Sequence, residues 1–331
     1  MTRNPYHSGP PSDHFDGLRF FLPGGGRTDR SRADLLKWQL GSRKRPPWPR
    51  WRPGAQVKPD ARVPGDALRV TMIGHASLLI QTQGLNILVD PVWSDRASPF
   101  QWIGPRRVNA PGVALDDLPP LDLVLVTHNH YDHMDEATLS ALSRSRPCRV
   151  LTPLGNDAIM GRFRIPVRAE SHDWGAAVPV APALTVHVEP AQHWSARWLG
   201  DARMALWASF VLETPGGRIH VVGDTGYGDG AIFRRLREKH GPMRLAIIPI
   251  GAYEPRWFMR PQHVDPDEAV QILRDVEAAH ALACHWGTFR LTDEGIDDPP
   301  ARLAAALGRE GIAPGRFAVK RPGERLDVPL T

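Results

Sequence analysis

Cysteine is nearly absent from this sequence, which has only Cys148 and Cys284 among its 331 residues. Small secreted proteins compensate for a thin core with several disulfides, so a long chain with a single possible pair does not belong to that class. The N-terminus also lacks the basic segment followed by an apolar one that marks a signal peptide. We therefore predict that both thiols stay reduced and that the protein is cytoplasmic.

Long hydrophobic runs are missing as well. No stretch approaches the roughly 18 consecutive apolar residues with which a helix crosses a bilayer, so any membrane contact is predicted to be peripheral, on the inner face. With 42% hydrophobic and 23% charged residues, the composition is that of a globular protein. The net charge of +5 favours anionic partners such as phosphate esters, lipid headgroups or nucleic acid.

Proline, glycine and basic residues are frequent in residues 1–66, which we predict to be an extension packed on or tethered to a catalytic domain of residues 67–331. The glycines at 24–26 are not followed by Gly-Lys-Ser/Thr, so they do not form a phosphate loop. Residues 43–52 combine arginine, lysine and tryptophan. They form either a solvated basic segment packed on the domain or an interfacial patch for anionic lipid.

From residue 68 onward, short apolar runs alternate with helical patterns. Asp135 predicts the N-cap of a helix to about 144, and Asp265 begins a capping box with Glu268 that predicts a helix to about 279. A further helix is predicted over 230–239. Strands are predicted at 68–73, 77–83, 85–89, 121–127, 149–152, 184–188, 207–213, 218–222, 245–250 and 281–284. Two packed sheets with outer helices fit this order, although periodicity alone also permits an open parallel sheet.

A cluster of metal-ligand side chains follows the buried strand predicted at 121–127. His128, His130, Asp132 and His133 can all point into one cavity from a tight loop. Imidazoles with a carboxylate suit Zn²⁺ or Fe²⁺ rather than Ca²⁺ or Mg²⁺. Because one ion needs only three or four protein ligands, this loop and the further ligands together indicate either a spare residue or a second ion.

Three later residues complete the set, each at the end of a predicted strand: His193, Asp224 and His285. Loops at strand ends converge on sites in layered folds. Asp224 is the carboxylate positioned to bridge two ions, which binuclear hydrolases hold roughly 3.5 to 4 Å apart.

The pattern His-x-His-x-Asp-His followed by separate His, Asp and His resembles the metallo-β-lactamase superfamily over about residues 68–290. Within it, six segments in order are similar to the branch of phospholipases D that hydrolyse N-acyl-phosphatidylethanolamine: 128–135, 192–194, 223–227, 251–259, 262–266 and 285–289. The resemblance implies an α/β fold, a four-layer αββα sandwich. It also implies two Zn²⁺ ions as cofactors, with iron or manganese as alternatives.

The same resemblance assigns roles to individual residues. It implies that His128, His130, His193 and Asp224 hold the first ion, and that Asp132, His133, His285 and Asp224 hold the second. Asp90 would order the site without binding metal, and Gln262 and His263 would lie near the substrate's phosphate. Asp132, Asp224, Gln262 and His263 are therefore the candidate catalytic residues.

Two ions that share a water lower its pKa and generate a nucleophile, a metal-bridging hydroxide, without a side-chain base. The predicted reaction is hydrolysis of a phospholipid phosphodiester, with His263 or a metal-bound water protonating the leaving alcohol. A lactonase, another ester hydrolase or a nuclease on the same metals stays an alternative, although no charged insertion suggests nucleic acid as a partner. A di-iron redox protein would usually replace His130 with glutamate, and a binding module would have lost ligands. The sequence leaves the oligomeric state open, a homodimer included.

Some residues near these motifs have two readings. His75 follows a strand and could approach the site, but we interpret it as a structural histidine. Cys284 adjoins His285, yet strand alternation points it to the opposite face and into the core. Trp257, Phe258 and Met259 either line the site beside Arg256 and Arg260 or pack in the core.

Overall fold

Two mixed β-sheets lie face to face in the computed structural model, which describes residues 3–24, 28–41 and 45–330. Each sheet has seven strands in this part of the chain. The predictions for the glycines at 25 and 26 and for Arg43 and Lys44 concern positions outside the described residues.

The first sheet has an antiparallel half and a parallel half. Its first four strands in space form three antiparallel pairs, and the remaining three pairs are parallel. In spatial order, the strands are β14 (Arg325–Val328), β1 (Leu68–Gly74), β2 (Ser77–Thr82), β3 (Leu85–Val89), β4 (Leu123–Leu125), β5 (Arg149–Pro153) and β6 (Glu170–His172).

The second sheet repeats this succession of three antiparallel and three parallel pairs. In spatial order, its strands are β7 (Ala177–Ala181), β8 (Leu184–Glu189), β9 (Ser209–Thr214), β10 (Gly217–Val221), β11 (Leu245–Pro249), β12 (His280–Cys284) and β13 (Phe317–Ala318). β14 therefore takes the edge place in the first sheet that β7 has in the second.

Helices cover the outer faces of both sheets. Apolar residues of α2 (Glu136–Ser145) and α3 (Asn156–Met160) pack on the first sheet. Those of α4 (Ala231–His240), α6 (Pro266–Asp275) and α7 (Asp298–Arg309) pack on the second. A third core lies between the sheets, where alternate residues such as Val186 and Val188 of β8 face Ile80 and Ile87. The predicted four-layer αββα sandwich is confirmed.

Several predicted elements have different bounds in the structure. The strand predicted over 121–127 is only β4, because beyond it Thr127 donates its N–H to the side chain of Asp90. The capping box of Asp265 and Glu268 is present, but α6 ends at Asp275 and Glu277 then adopts a φ of 46°. The sequence did not predict eight elements of the described residues, which are short, weakly patterned or beyond the matched motifs: α1 (Arg32–Leu40), α3, α5 (Arg256–Met259), α7, β6, β7, β13 and β14.

The described residues before β1 pack closely on the sheets. Phe15 and Phe20 are buried against Trp207, and Trp38 of α1 (Arg32–Leu40) packs on Phe258. The basic segment of residues 43–52 forms ion pairs with the domain: Arg45 lies 2.8 Å from Asp293, and Arg52 lies 2.6 Å from Asp297. The described part of residues 43–52 therefore packs on the domain, and its contact with anionic lipid stays a prediction. In the described residues, no helix has the length and apolarity that a bilayer crossing requires.

Candidate metal centre

All the predicted metal ligands follow strands at one edge of the two sheets. His128 to His133 follow β4, and His193, Asp224 and His285 follow β8, β10 and β12. Gly251, just after β11, allows its loop to pass close to this edge, because a Cβ there would lie 2.2 Å from the carbonyl oxygen of His285.

The first group consists of His128, His130, His193 and Asp224, whose ligand atoms lie within 4.8 Å of one another. His130 Nδ1 is 2.9 Å from His128 Nε2 and 3.3 Å from His193 Nε2. Asp224 Oδ2 is 3.9 Å from His128 Nε2 and 3.7 Å from His193 Nε2. Three ring nitrogens and one carboxylate oxygen therefore converge on a common point.

The second group consists of His75, Asp132, His133 and His285, whose ligand atoms lie within 4.8 Å of one another, and its last two members also approach Asp224. Asp132 Oδ2 is 3.6 Å from His133 Nε2 and 3.3 Å from His285 Nε2. Asp224 Oδ2 lies 3.2 Å from His133 Nε2 and 3.1 Å from His285 Nε2. Asp224 is thus the carboxylate shared by the two groups, as the sequence reading predicted.

Buried polar atoms that make no hydrogen bond indicate that this arrangement fits a cation. His133 Nε2, His285 Nε2 and Asp224 Oδ1 form no hydrogen bond among the described residues, although both nitrogens lie near Asp224 Oδ2. A buried polar group without a partner is costly. Imidazole nitrogens and carboxylate oxygens that converge in this way are the donors of zinc and related transition-metal sites. The residues present therefore fit the metal ions that the sequence predicts.

Neighbouring groups fix the orientation of the candidate ligands. Asp90, just after β3, lies 2.7 Å from His133 Nδ1 through its Oδ2 and also accepts from Thr127 Oγ1. His193 Nδ1 donates to the main-chain oxygen of Gln262 at 2.9 Å. Such outer contacts hold a ligating imidazole in one tautomer and one orientation.

The charges in the two groups balance one another. Burial lowers the pKa of His130 to about 4 and of His193 to about 3, so both rings are neutral at pH 7. Burial opposes ionisation of Asp132 and Asp224, but the histidines outweigh it and hold both pKa values well below the ordinary range. The carboxylates likewise outweigh burial at His285 and raise its pKa to about 9. A bound metal ion would replace such protons.

A cavity of about 540 Å³ opens over the two groups. Its floor includes His130, Asp132 and Asp224, with Gln262 and His263 beside them. Its walls are largely apolar and its cations are Arg19 and Arg30. The apolar wall includes Leu35, Trp38, Trp194, Phe258, Met259 and Leu291. The N-terminal residues thus form part of the same cavity as the candidate ligands.

Comparison with known proteins identifies the family. A family model described as "Beta-lactamase superfamily domain" matches residues 85–286, most of the chain. The chain belongs to the beta-lactamase superfamily. With the geometry above, it is a metallo-β-lactamase-fold hydrolase with candidate metal-binding clusters.

Relatives of this superfamily member include N-acyl-phosphatidylethanolamine-hydrolyzing phospholipase D 1 of Caenorhabditis elegans, at 36% identity over 267 residues. That match covers 78% of this chain and 75% of the relative. The protein Rv0906 of Mycobacterium tuberculosis is 38% identical over 314 residues, covering 90% of this chain and 79% of the relative. Igni18, a metallo hydrolase of Ignicoccus hospitalis, superposes with a TM-score of 0.59 at 20% identity, over 78% of this chain and 97% of that one. This last likeness concerns the fold alone.

The superfamily site contains one residue that the sequence reading set aside as structural. His75 follows β1 with a φ of 56°, and its Nε2 lies 2.9 Å from Asp132 Oδ2. Burial, followed by the charge of His285, lowers the pKa of His75 to about 4. The neutral ring therefore donates its Nε2–H to the carboxylate, which can only accept. Its signal in the sequence was its place directly after a strand, like the other ligands.

The two readings of residues 257–259 are both partly right. Phe258 and Met259 line the cavity and are also buried in a cluster with Trp38, whereas Trp257 is 43% exposed beneath Lys37. Cys284 lies in the core between the sheets, as strand alternation predicts, and both cysteines are free thiols.

Proposed function

We propose that the protein is a two-metal phosphodiesterase of phospholipase D type that acts on N-acyl-phosphatidylethanolamine-like lipids. One observation carries this proposal: an apolar cavity with two arginines opens directly over the metal-ligand groups. A phosphate bearing acyl chains matches such a surface, because its charge needs cations and its chains need an apolar wall. The similarity to the nematode phospholipase D supports the same substrate class.

His128, His130, His193 and Asp224 would hold one ion, and Asp132, His133, His285 and Asp224 the other. We propose zinc, because neutral imidazoles and carboxylates form its usual hydrolytic sites. Bound ions would supply Lewis acidity at a phosphoryl oxygen and lower the pKa of water. Asp90 and the main-chain oxygen of Gln262 keep His133 and His193 in their ligand orientations.

Gln262 and His263 would position the substrate's phosphate. The indole N–H of Trp194 donates to Gln262 Oε1, which fixes the amide and directs its NH₂ group as a donor. His263 lies beside Asp224. Burial keeps the pKa of His263 well below 6.5, because it outweighs the negative charge of Asp224, and the neighbouring His193 lowers the pKa further. The ring of His263 is therefore neutral at pH 7 and serves as a hydrogen-bond donor to the phosphate rather than as a standing proton source.

The N-terminal residues would shape the lipid subsite. Arg30 donates to the main-chain oxygen of Phe258 at 2.8 Å, and Thr28 donates to that of His193 at 2.6 Å. These bonds connect the N-terminal segment to the cavity wall and to a candidate ligand. We propose that residues 1–66 complete the substrate cavity of the domain formed by residues 67–331.

The experiment is hydrolysis of N-acyl-phosphatidylethanolamine in mixed vesicles by metal-loaded protein. We expect release of phosphatidic acid and an N-acylethanolamine, detected by mass spectrometry. Gln262→Ala and His263→Ala should each lower turnover about 100-fold, the usual cost of losing one positioned donor. Metal content should stay unchanged, because Gln262 holds His193 through its main chain, which alanine retains.

The competing ester chemistry gives a distinct outcome. If the same metal-loaded protein opens lactones efficiently and leaves lipid phosphodiesters intact, the phospholipase proposal is wrong and a lactonase replaces it. If single-stranded RNA is cleaved instead, the nuclease alternative holds.

A further inference from the structure

A separate group of metal-ligand side chains lies outside the cavity, on the outer face of the second sheet. His187 and Glu189 come from β8, and His240 is the last residue of α4. Their ligand atoms lie within 4.8 Å of one another, and His240 Nε2 is 2.8 Å from Glu189 Oε1. Glu189 and His240 are only 5% and 7% exposed.

The strand pattern places these side chains together. Val186 and Val188 of β8 point into the core between the sheets, so His187 and Glu189 point outward, toward α4. Phe233 and Leu236 of α4 pack on the same outer face. The helix therefore presents His240 directly to the two β8 residues.

A buried histidine without partners lies on this same face. His187 pairs in register with Val211, and Val211 pairs with His220, so the three side chains form one row across β8, β9 and β10. His220 is 1% exposed, and neither of its ring nitrogens has a hydrogen-bond partner in the part of the chain that the structure describes. Burial lowers its pKa to about 3, with Glu189 and His240 as the charges that also act on it. A neutral ring with a free lone pair is thus buried next to the group.

The surrounding charges are compatible with a cation. Lys239 Nζ lies 2.7 Å from Glu189 Oε1, but its side chain is 46% exposed and can turn into solvent. Glu213 lies 2.9 Å from His187 Nε2 and also pairs with Arg218. The carbonyl end of α4 adds partial negative charge beside His240.

We propose that His187, Glu189 and His240 bind a zinc-type transition-metal ion separately from the catalytic cluster, with the buried His220 on the same face of the sheet beside it. Two imidazoles and a carboxylate are an established zinc donor set. The ion would connect the end of α4 to β8, which continues directly into the loop carrying His193. This inference does not depend on the substrate.

The test counts ions in tag-free, chelator-stripped full-length protein dialysed against Zn²⁺ and measured by elemental analysis. We expect three ions in the wild type and two in His187→Ala and in His240→Ala. His280→Ala, a histidine substitution at the start of β12 and outside both clusters, should retain three. His187 is partly exposed, so its substitution tests the site even if His240→Ala folds poorly.

A second background separates this site from the catalytic one. Asp224→Ala should lose the catalytic ions and keep one, and adding His187→Ala should remove it. The affinity of that ion, titrated with Co²⁺ by absorption, should fall at least about 10-fold in His187→Ala. If wild type, His187→Ala and His240→Ala bind equal numbers of ions, the extra ion is adventitious or absent and the inference is wrong. If the wild type binds the third ion but, when metal-loaded, hydrolyses no lipid phosphodiester, only the proposed function is refuted.

Discussion

At the scale of single residues, the second ligand group depends on histidines that brace a carboxylate from two sides. His75 donates to Asp132 Oδ2, and the same oxygen faces His133 and His285. The ring of His75 lies 4.0 Å from that of His285, and the main-chain N–H of His285 donates to the oxygen of His75. His75 therefore positions both a side chain and a backbone of the candidate centre.

His75→Asn tests this positioning role. Asparagine tolerates the positive φ at this position. Its side chain is too short to reach Asp132, so the Asp132 carboxylate loses the hydrogen bond from this position. We expect about 10- to 100-fold weaker binding of the second ion, with the first ion retained. Competitive titration with a chromophoric chelator measures both affinities. Equal affinities in the variant, the wild type and a His172→Asn control would show that His75 is only structural.

Asp90→Asn tests the corresponding support for His133. The amide keeps the size of the side chain but places no full charge beside His133 Nδ1, which now has a 2.7 Å carboxylate contact. A comparable loss of about 10- to 100-fold in metal affinity is expected. Far-ultraviolet circular dichroism of the variant should match the wild type. Unchanged affinity would contradict the role assigned to Asp90.

At the scale of elements, every candidate ligand is held at a strand end and each strand is fixed by cores on both faces. α6 begins three residues after His263, and its N-terminus is closed by the capping box of Asp265 and Glu268. Asp265 also accepts from Arg302 of α7 at 2.7 Å. The helix start thus joins the edge of the site to the outer helical layer.

Asp265→Ala should therefore destabilise the protein. Loss of an N-cap lowers the free energy of unfolding by roughly 0.5 to 2 kcal/mol. The partly buried Arg302 also loses an ion-pair partner. Urea unfolding should show a lower midpoint with an unchanged slope. Asp116→Ala, at an exposed aspartate, is the matched control and should stay within about 0.5 kcal/mol of the wild type. A control loss as large as that of Asp265→Ala would remove the capping explanation.

These elements also show what could be predicted from sequence. The capping box of Asp265 and Glu268 and the short apolar run at 184–188 are local signals, and α6 and β8 begin at these places. The dense ligand loop at 128–133 is a local signal as well, and its side chains lie close together in the structure. β6, β7 and β14 are edge or near-edge strands whose pairing depends on distant partners, such as Leu68 with Val328, so local periodicity did not reveal them. α1 was not predicted because several of its exposed residues are leucines, so its apolar residues are not confined to one face and show no helical periodicity. His75 was undervalued because its partner Asp132 is 57 residues away.

At the scale of the whole molecule, exposed apolar side chains gather beside the cavity mouth. We call Phe100, Trp102, Ile103, Trp198 and Leu199 the apolar rim. Trp102 is 75% exposed and Leu199 is 81% exposed, while Trp198 and Leu199 also line the cavity. Phe100 connects the two segments, with its ring 5.5 Å from that of Trp102 and 6.4 Å from that of Trp198. Contiguous exposed apolar surface of this kind marks interaction sites.

The rim and the positive net charge lead to a prediction about membranes. A protein that removes a headgroup from a lipid in a bilayer must hold its cavity mouth at the interface, where tryptophan and leucine side chains insert and basic residues meet anionic headgroups. The double variant Trp198→Ser and Leu199→Ser should therefore bind anionic vesicles roughly tenfold or more weakly, since each buried apolar side chain contributes about 1.5 to 3 kcal/mol. Leu330→Ser, at a leucine that is 65% exposed but outside the rim, should bind like the wild type.

Cosedimentation with vesicles of phosphatidylglycerol and phosphatidylcholine measures this binding, and added salt should weaken it through screening of the charges. Turnover of a small soluble phosphodiester should fall far less than vesicle binding in the double variant, because both residues line the outer part of the cavity and neither is a candidate ligand. If the double variant and Leu330→Ser bind vesicles equally, or if the soluble reaction falls together with vesicle binding, the rim does not seat the protein on the membrane. The proposed lipid substrate would then have to reach the cavity from solution, as a monomer or in a micelle.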